Sequence, residues 1–230
     1  MPDTDLDLLS AVSHEMRGPL STVLGIALTL ERAGPRLSER ETAELLARLI
    51  GGARKLEGLL DDLLDLDRLR RGAFVPARTP TNLADLVAGM VAETGIAAER
   101  PVQVDADPLV VDVDPVHVER IVENLLSNAR RHTPPGTPVW VGVHRGADDG
   151  GDGVRITVAD AGPGVPRELA EDIFRPFRQA ETGGSSQGVG VGLALVARFA
   201  EVNGGRAWVE GRRGGGAAFN VWLPGPARPA

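Results

Sequence analysis

Asn124-Leu-Leu-Ser-Asn128-Ala, Asp160-Ala-Gly162-Pro-Gly164, Phe174-Arg-Pro-Phe177 and Gly188-Val-Gly190-Val-Gly192-Leu follow one another through the second half of the chain. Each alone is a weak signal, because paired asparagines and short glycine patterns arise by chance. In this order they supply what a magnesium-nucleotide site requires. Amide oxygens suit a hard cation, a carboxylate suits the edge of a purine, and bare backbone amides suit phosphates. Asn124 and Asn128 are four residues apart and share one helical face. Asp160 closes an alternating apolar run, and the glycines after it let the backbone approach a flat ligand. Gly188, Gly190 and Gly192 precede a helix whose amino terminus extends the anion cradle. The spacing is not a dinucleotide-binding fingerprint, and the Gly-Lys-Ser/Thr ending of a P-loop is missing.

Upstream, Ser13-His14-Glu15-Met16-Arg17-Gly18-Pro19-Leu20 places an imidazole beside a carboxylate. Residues 9, 13, 16, 20, 23, 27 and 30 step by four and three, which predicts a helix with a coiled-coil-like seam. His14 stands one step off that seam and is expected to face solvent, and Pro19 is expected to bend the helix. Ala33-Gly34-Pro35 breaks the pattern, and Ser38 with Glu41 forms a capping box for a second helix. Its apolar positions, Leu46, Leu49, Ala53, Leu56, Leu60 and Leu63 with Leu59 and Leu66 beside them, make a stripe too wide for one hairpin to cover. A homodimeric four-helix bundle is therefore expected, and a monomeric hairpin packed on the rest of the chain is the alternative.

Residues 72–80 read as a linker. Beyond them helix is expected over 83–98, strands over 102–104 and 109–113, a helix over 116–132, strands over 139–143, 154–158 and 218–222, and a helix over 193–202. The Gly/Ser-rich stretch 182–187 has the composition of a lid, and residues 225–230 that of a frayed tail. His117 and His144 carry no motif context and read as plain surface residues. Asp105, Asp107, Asp112 and Asp114 read as turn or edge carboxylates rather than a metal cluster. The 230 residues include no cysteine, which excludes disulfides and thiolate metal sites, and the net charge of −7 argues against a nucleic-acid partner. No apolar run reaches the length of a membrane span and no signal peptide is legible, so a cytoplasmic chain is expected.

At these motifs the chain resembles the sensor histidine kinases of two-component systems over nearly its whole length. The resemblance implies an α+β chain: residues 1–71 as a dimerisation and phosphotransfer hairpin, and 81–224 as an α/β-sandwich, Bergerat-type ATP-binding domain. It implies ATP and Mg²⁺ as cofactors, with Asn128 as the main Mg²⁺ ligand assisted by Asn124. Arg131 and His132 would contact phosphate, Asp160 adenine, with Gly162 and Gly164 beside it, and Gly188, Gly190 and Gly192 the triphosphate. His14 would be the nucleophile, Glu15 would orient it or take its proton, and a response-regulator receiver domain would accept the phosphoryl group. Gly18 departs from the family's Thr or Asn, which puts phosphatase activity in doubt. Ala218 and Ala161 also replace a usual Thr and Asn near the adenine. Two rivals share the nucleotide motifs. A gyrase-like or mismatch-repair ATPase would need a general-base Glu where Asn124 stands, and Glu123 points about 100° away around the helix. A non-enzymatic nucleotide-binding scaffold is opposed by Glu15, Asn128 and the intact glycine motif.

Overall fold

The structure, a computed structural model, describes residues 3–72, 75–148, 151–176 and 190–229, and only the backbone of residues 3–11, 14, 15, 35, 70 and 148. Two compact units divide near Asp67. The first is a helical hairpin. Helix α1 (Asp3–Ala33) runs unbroken through Pro19, whose ring is buried, and a 3₁₀ turn at Gly34–Arg36 reverses the chain. Helix α2 (Glu39–Arg70) opens on the expected capping box. The Ser38 amide donates to Glu41 Oε2 at 2.9 Å and the Glu41 amide to Ser38 Oγ at 3.3 Å. The Ser38 hydroxyl, which donates to the same carboxylate at 2.7 Å, and then the Ser38 amide hold the Glu41 carboxyl below its ordinary pKa. Ile26, Leu59 and Leu66 are buried, whereas Leu20, Leu24, Ile50 and Leu60 are about half exposed at 56%, 57%, 48% and 51%. Large aliphatic side chains are thus left on the hairpin's surface, as a bundle seam awaiting a second hairpin would leave them.

The second unit is an α/β sandwich. Strands β1 (Thr79–Asn82), β2 (Val102–Ala106), β3 (Leu109–Val113), β4 (Val139–Asp148), β5 (Gly151–Asp160), β6 (Arg206–Gly211), β7 (Ala217–Pro224) and β8 (Arg228–Pro229) form two sheets. The larger has the order β2-β4-β5-β7-β6, with only β2 and β4 parallel, and the smaller the order β1-β3-β8. Helices α3 (Leu83–Glu93), α4 (Pro115–His132) and α5 (Gly192–Val202) complete the unit. Register explains the core. Val141 pairs Val158, which pairs Phe219, and Val143 pairs Ile156, which pairs Val221, so one face of the large sheet is continuously apolar. Ile121, Leu125, Leu126, Leu195 and Phe199 of α4 and α5 are buried with it. The other face carries all three tryptophans, with Arg212 over Trp140 at 4.2 Å and Arg206 over Trp208 at 4.4 Å.

Several expectations need correction. The helix expected over 83–98 stops at Glu93. Gly95 is left-handed at φ 64° and starts a 3₁₀ turn at Ile96–Ala98, because the Thr94-Gly95 step ends the helix as a C-terminal glycine does. The linker ends before Thr79, which already pairs with Val113. The tail is not frayed through 225–229: Arg228 and Pro229 pair with Val110 and Leu109, and Ala227 is buried. His117 is no surface residue. It is 2% exposed, its ring tilted against that of Phe199 at 4.9 Å between centroids, and it accepts at Nδ1 from the Asn203 amide at 3.1 Å. Asp114 is the N-cap of α4, accepting from the Val116 amide at 3.0 Å, and also from Ala77 N at 2.8 Å.

Candidate functional site

Helix α4 carries the two asparagines on the flank of its buried stripe. Val118, Ile121, Val122, Leu125 and Leu126 face the core, so Asn124 and Asn128 fall at its half-buried edge. Asn124 donates its amide nitrogen back to the Arg120 carbonyl at 2.8 Å, which turns the amide oxygen outward. That oxygen faces Gly192: a methyl built on Gly192 would sit 2.7 Å from Asn124 Oδ1. The first asparagine and the last motif glycine therefore meet. Asn128 is half-buried, and its amide has no protein hydrogen bond among the described residues. An uncommitted amide beside an outward-turned amide oxygen is a donor set that fits a hard cation such as Mg²⁺.

Helix α5 starts at Gly192 with no side chain capping its amino terminus. Its first amides are thus open to an anion, with the helix dipole in support. Gly190 is described, with φ 69°, whereas Gly188, Phe177 and the expected lid at 182–187 lie outside the described residues.

Asp160 ends β5 and is 5% exposed. Its Oδ1 accepts the Gly162 amide at 2.8 Å, closing an Asx turn, so both the plain turn reading and the ligand reading have a footing. Three backbone segments converge here. Gly164, at φ 79°, would place a side chain 3.2 Å from the Gly216 carbonyl. Gly216, at φ 96° just before β7, would drive one into the Asp160 carbonyl. Arg212 spans the same point, donating from Nε to Asp160 O at 3.2 Å and to Gly215 O at 2.9 Å. Gly216→Ala combines a left-handed backbone with a collision, and is expected to destabilise this unit by roughly 3 kcal/mol. Thermal unfolding checks this: the transition of this unit should fall by about 6–12 °C, and an unchanged melting temperature would show that the turn has slack.

The end of α4 is cationic through Arg130 and Arg131, which sit with His132 in its last turn where the helix dipole favours positive charge. Arg131 and His132 reach solvent, while Arg130 is tied to Glu99 at 2.9 Å and to the Thr94 carbonyl at 2.7 Å. The His132 pKa is lowered from its ordinary 6.5, first by partial burial and then by the Arg131 charge, with Asp160 opposing. His132 is therefore neutral at pH 7. Stability is unaffected above 6.5 and falls as pH drops through 6.5, because the unfolded chain takes the proton first. Sequence reasoning missed Arg100, a buried residue bound to this same helix end. Its only signal was that Gly95 ends the preceding helix. Gly216 was also missed as a site residue, although the run Gly214-Gly215-Gly216 before an alternating segment marks a tight turn.

His14 and Glu15 both lie in α1, with their side chains outside those described. Gly18, one turn on, is exposed, and a side chain there would meet open space.

Residues 113–227 match the family model described as histidine kinase-, DNA gyrase B- and HSP90-like ATPase. Residues 5–72 match that of the His kinase A phospho-acceptor domain. The chain belongs to the histidine kinases. The sensor histidine kinase TmoS of Ectopseudomonas mendocina is 34% identical over 225 residues, covering 95% of this chain and 23% of that protein. The histidine protein kinase DivJ of Caulobacter vibrioides is 37% identical over 231 residues, covering 94% of this chain and 36% of that protein. This chain thus spans well under half of either relative. Among solved structures, full-length ShkA in complex with AMPPNP is 30% identical with a TM-score of 0.67, over 96% of this chain and 46% of that one. The mycobacterial sensor histidine kinase MprB is 26% identical with a TM-score of 0.57, over 67% of this chain and all of that one. A histidine kinase of this family holds a phospho-acceptor helix pair and an ATPase sandwich, the two units found here.

Proposed function

We propose that this chain is an ATP-dependent histidine kinase core that phosphorylates His14 and hands the phosphoryl group to a receiver-domain aspartate. The observation that carries the reading is the meeting of Asn124 Oδ1 with Gly192 at the uncapped start of α5. An amide oxygen close to an uncapped helix start is what a bound cation and phosphate would need side by side, and this supports the reading. Asn128 and Asn124 hold Mg²⁺, Gly190 and Gly192 with Gly188 hold the phosphates, Arg131 and His132 contact them from the end of α4, and Asp160 reads the adenine. Mg²⁺, when bound, offsets charge on the phosphate oxygens. A neutral His14 imidazole attacks the γ-phosphorus, the bond to the β–γ bridging oxygen breaks, ADP leaves, and the ring proton passes to Glu15 or water. Residues 1–71 serve phosphotransfer and pair with a second copy through the exposed aliphatic seam, and residues 81–224 bind ATP. Among the described residues no helix is long and apolar enough to cross a membrane. The need for ATP is what favours a cytoplasmic reaction.

The nearest test within the site is titration of His132 by NMR. Free protein should show a pKa below the ordinary 6.5. Saturating ADP should raise it, because a phosphate near the ring favours the imidazolium. A His132 that ignores ADP would remove it from the phosphate site.

A further inference from the structure

The connection between α3 and β2 lies outside the nucleotide motifs, yet it holds the helix that carries Asn124, Asn128, Arg131 and His132. Arg100 is 6% exposed. Its Nη1 donates to the Ala129 carbonyl at 3.1 Å and to Thr133 Oγ1 at 2.6 Å, and its Nη2 to the Arg130 carbonyl at 3.4 Å. These carbonyls belong to the last turn of α4, which has no later amides to receive. A buried guanidinium at the negative end of the helix is well placed to satisfy them. Thr133 is held from two sides, because its hydroxyl also donates to the Ala129 carbonyl at 2.7 Å. That fixes where its methyl group points. A methyl built on Gly162 would lie 2.6 Å from Thr133 Cγ2, so Thr133 packs directly against the Gly162 backbone. The Gly162 amide in turn holds Asp160 Oδ1 at 2.8 Å, which leaves the other carboxylate oxygen to read a base.

We propose that Arg100 is a positioning residue for nucleotide recognition. By clamping the end of α4 it seats the Thr133 methyl group against Gly162, and so holds the Asp160 turn in the form that discriminates among purines. The inference rests on the reading of Asp160 as the purine contact, and it names the device that aims that contact. The guanidinium touches no nucleotide. It acts through Thr133 and the Gly162 backbone, and it belongs to the recognition of the base rather than to phosphoryl transfer.

The claim separates from a plain stability role by its readout. Calorimetry on the full chain with Mg²⁺ compares the Kd for GDP with that for ADP. In Arg100→Gln the GDP/ADP ratio should fall by about tenfold, with KM for ATP raised and kcat at saturating ATP within about twofold of wild type. Thr133→Ser keeps the hydroxyl that Arg100 binds and loses only the methyl group on Gly162. Its ratio should fall as well, and it decides the matter if Arg100→Gln does not fold. A wild-type ratio in folded Arg100→Gln, or in Thr133→Ser, overturns the proposal. Asp160→Asn serves as the control. A collapsed ratio there with Arg100→Gln and Thr133→Ser unchanged sinks the positioning role alone, whereas an unchanged ratio in Asp160→Asn sinks the purine reading itself.

Discussion

His14→Gln incubated with γ-labelled ATP carries no acid-labile, alkali-stable label, while its affinity for ADP stays within about twofold of wild type. The chain has four histidines, and the structure narrows the acceptor among them. His117 is buried with Nδ1 engaged by Asn203, so neither access nor a free lone pair at that nitrogen is available. His144 has Asp107 at 3.3 Å and Asp105 at 3.7 Å, and two carboxylates repel an incoming phosphoryl group. His132 belongs with the phosphate contacts at the end of α4. His14 is left, on a helix of the other compact unit and beside a carboxylate. Separation into two units is also why nucleotide affinity should survive the substitution. Loss of label should be on the order of a thousandfold or more, since removing a nucleophile removes the reaction path rather than slowing it. Retained histidine-type label in the variant would move the acceptor to another ring and break the proposed division of labour.

The parts of the site legible in the sequence were those whose chemistry is local. Asn124 and Asn128 announce themselves by helical spacing within a strongly patterned segment, and Ser38 with Glu41 by a cap that involves four residues. Asp160 and its glycines are readable because a strand end, a carboxylate and a turn adjoin in the chain. What stayed hidden depends on pairing over long sequence distances. Strands β1 and β8 are short edges that exist only because β3 lies between them, and Arg-Ala-Trp-Val-Glu-Gly of β6 alternates too weakly to declare itself without β7. His117 looks like a solvent residue near the start of a helix until Phe199 and Asn203, more than eighty positions later, close over it. Arg100 and Gly216 are hidden in the same way. Each acts on a residue 29 or more positions distant, through a backbone carbonyl that no motif records.

Asn128→Ala should lose Mg²⁺-dependent nucleotide binding almost completely, with Kd for Mg-ADP rising on the order of a hundredfold, equivalent to about 2.7 kcal/mol. Asparagine is a weak helix former and alanine the strongest, so the substitution favours α4 and any loss cannot be laid on helix propensity. The side chain sits half-buried on the flank of α4, outside the apolar stripe, and bonds to no described protein group. Truncating it therefore opens little cavity and orphans no described hydrogen-bond partner. What it removes is an oxygen donor one turn from Asn124, whose own amide oxygen faces the start of α5. The metal arm of the test separates ligand loss from misfolding. With the cation chelated, wild type and variant should converge on the same weak affinity, because the wild type has lost what the variant lacks. A variant that binds Mg-ADP as wild type does would place the cation elsewhere. A variant weaker than wild type by the same factor with and without Mg²⁺ would assign Asn128 to the phosphate contacts instead, leaving Asn124 to carry the metal.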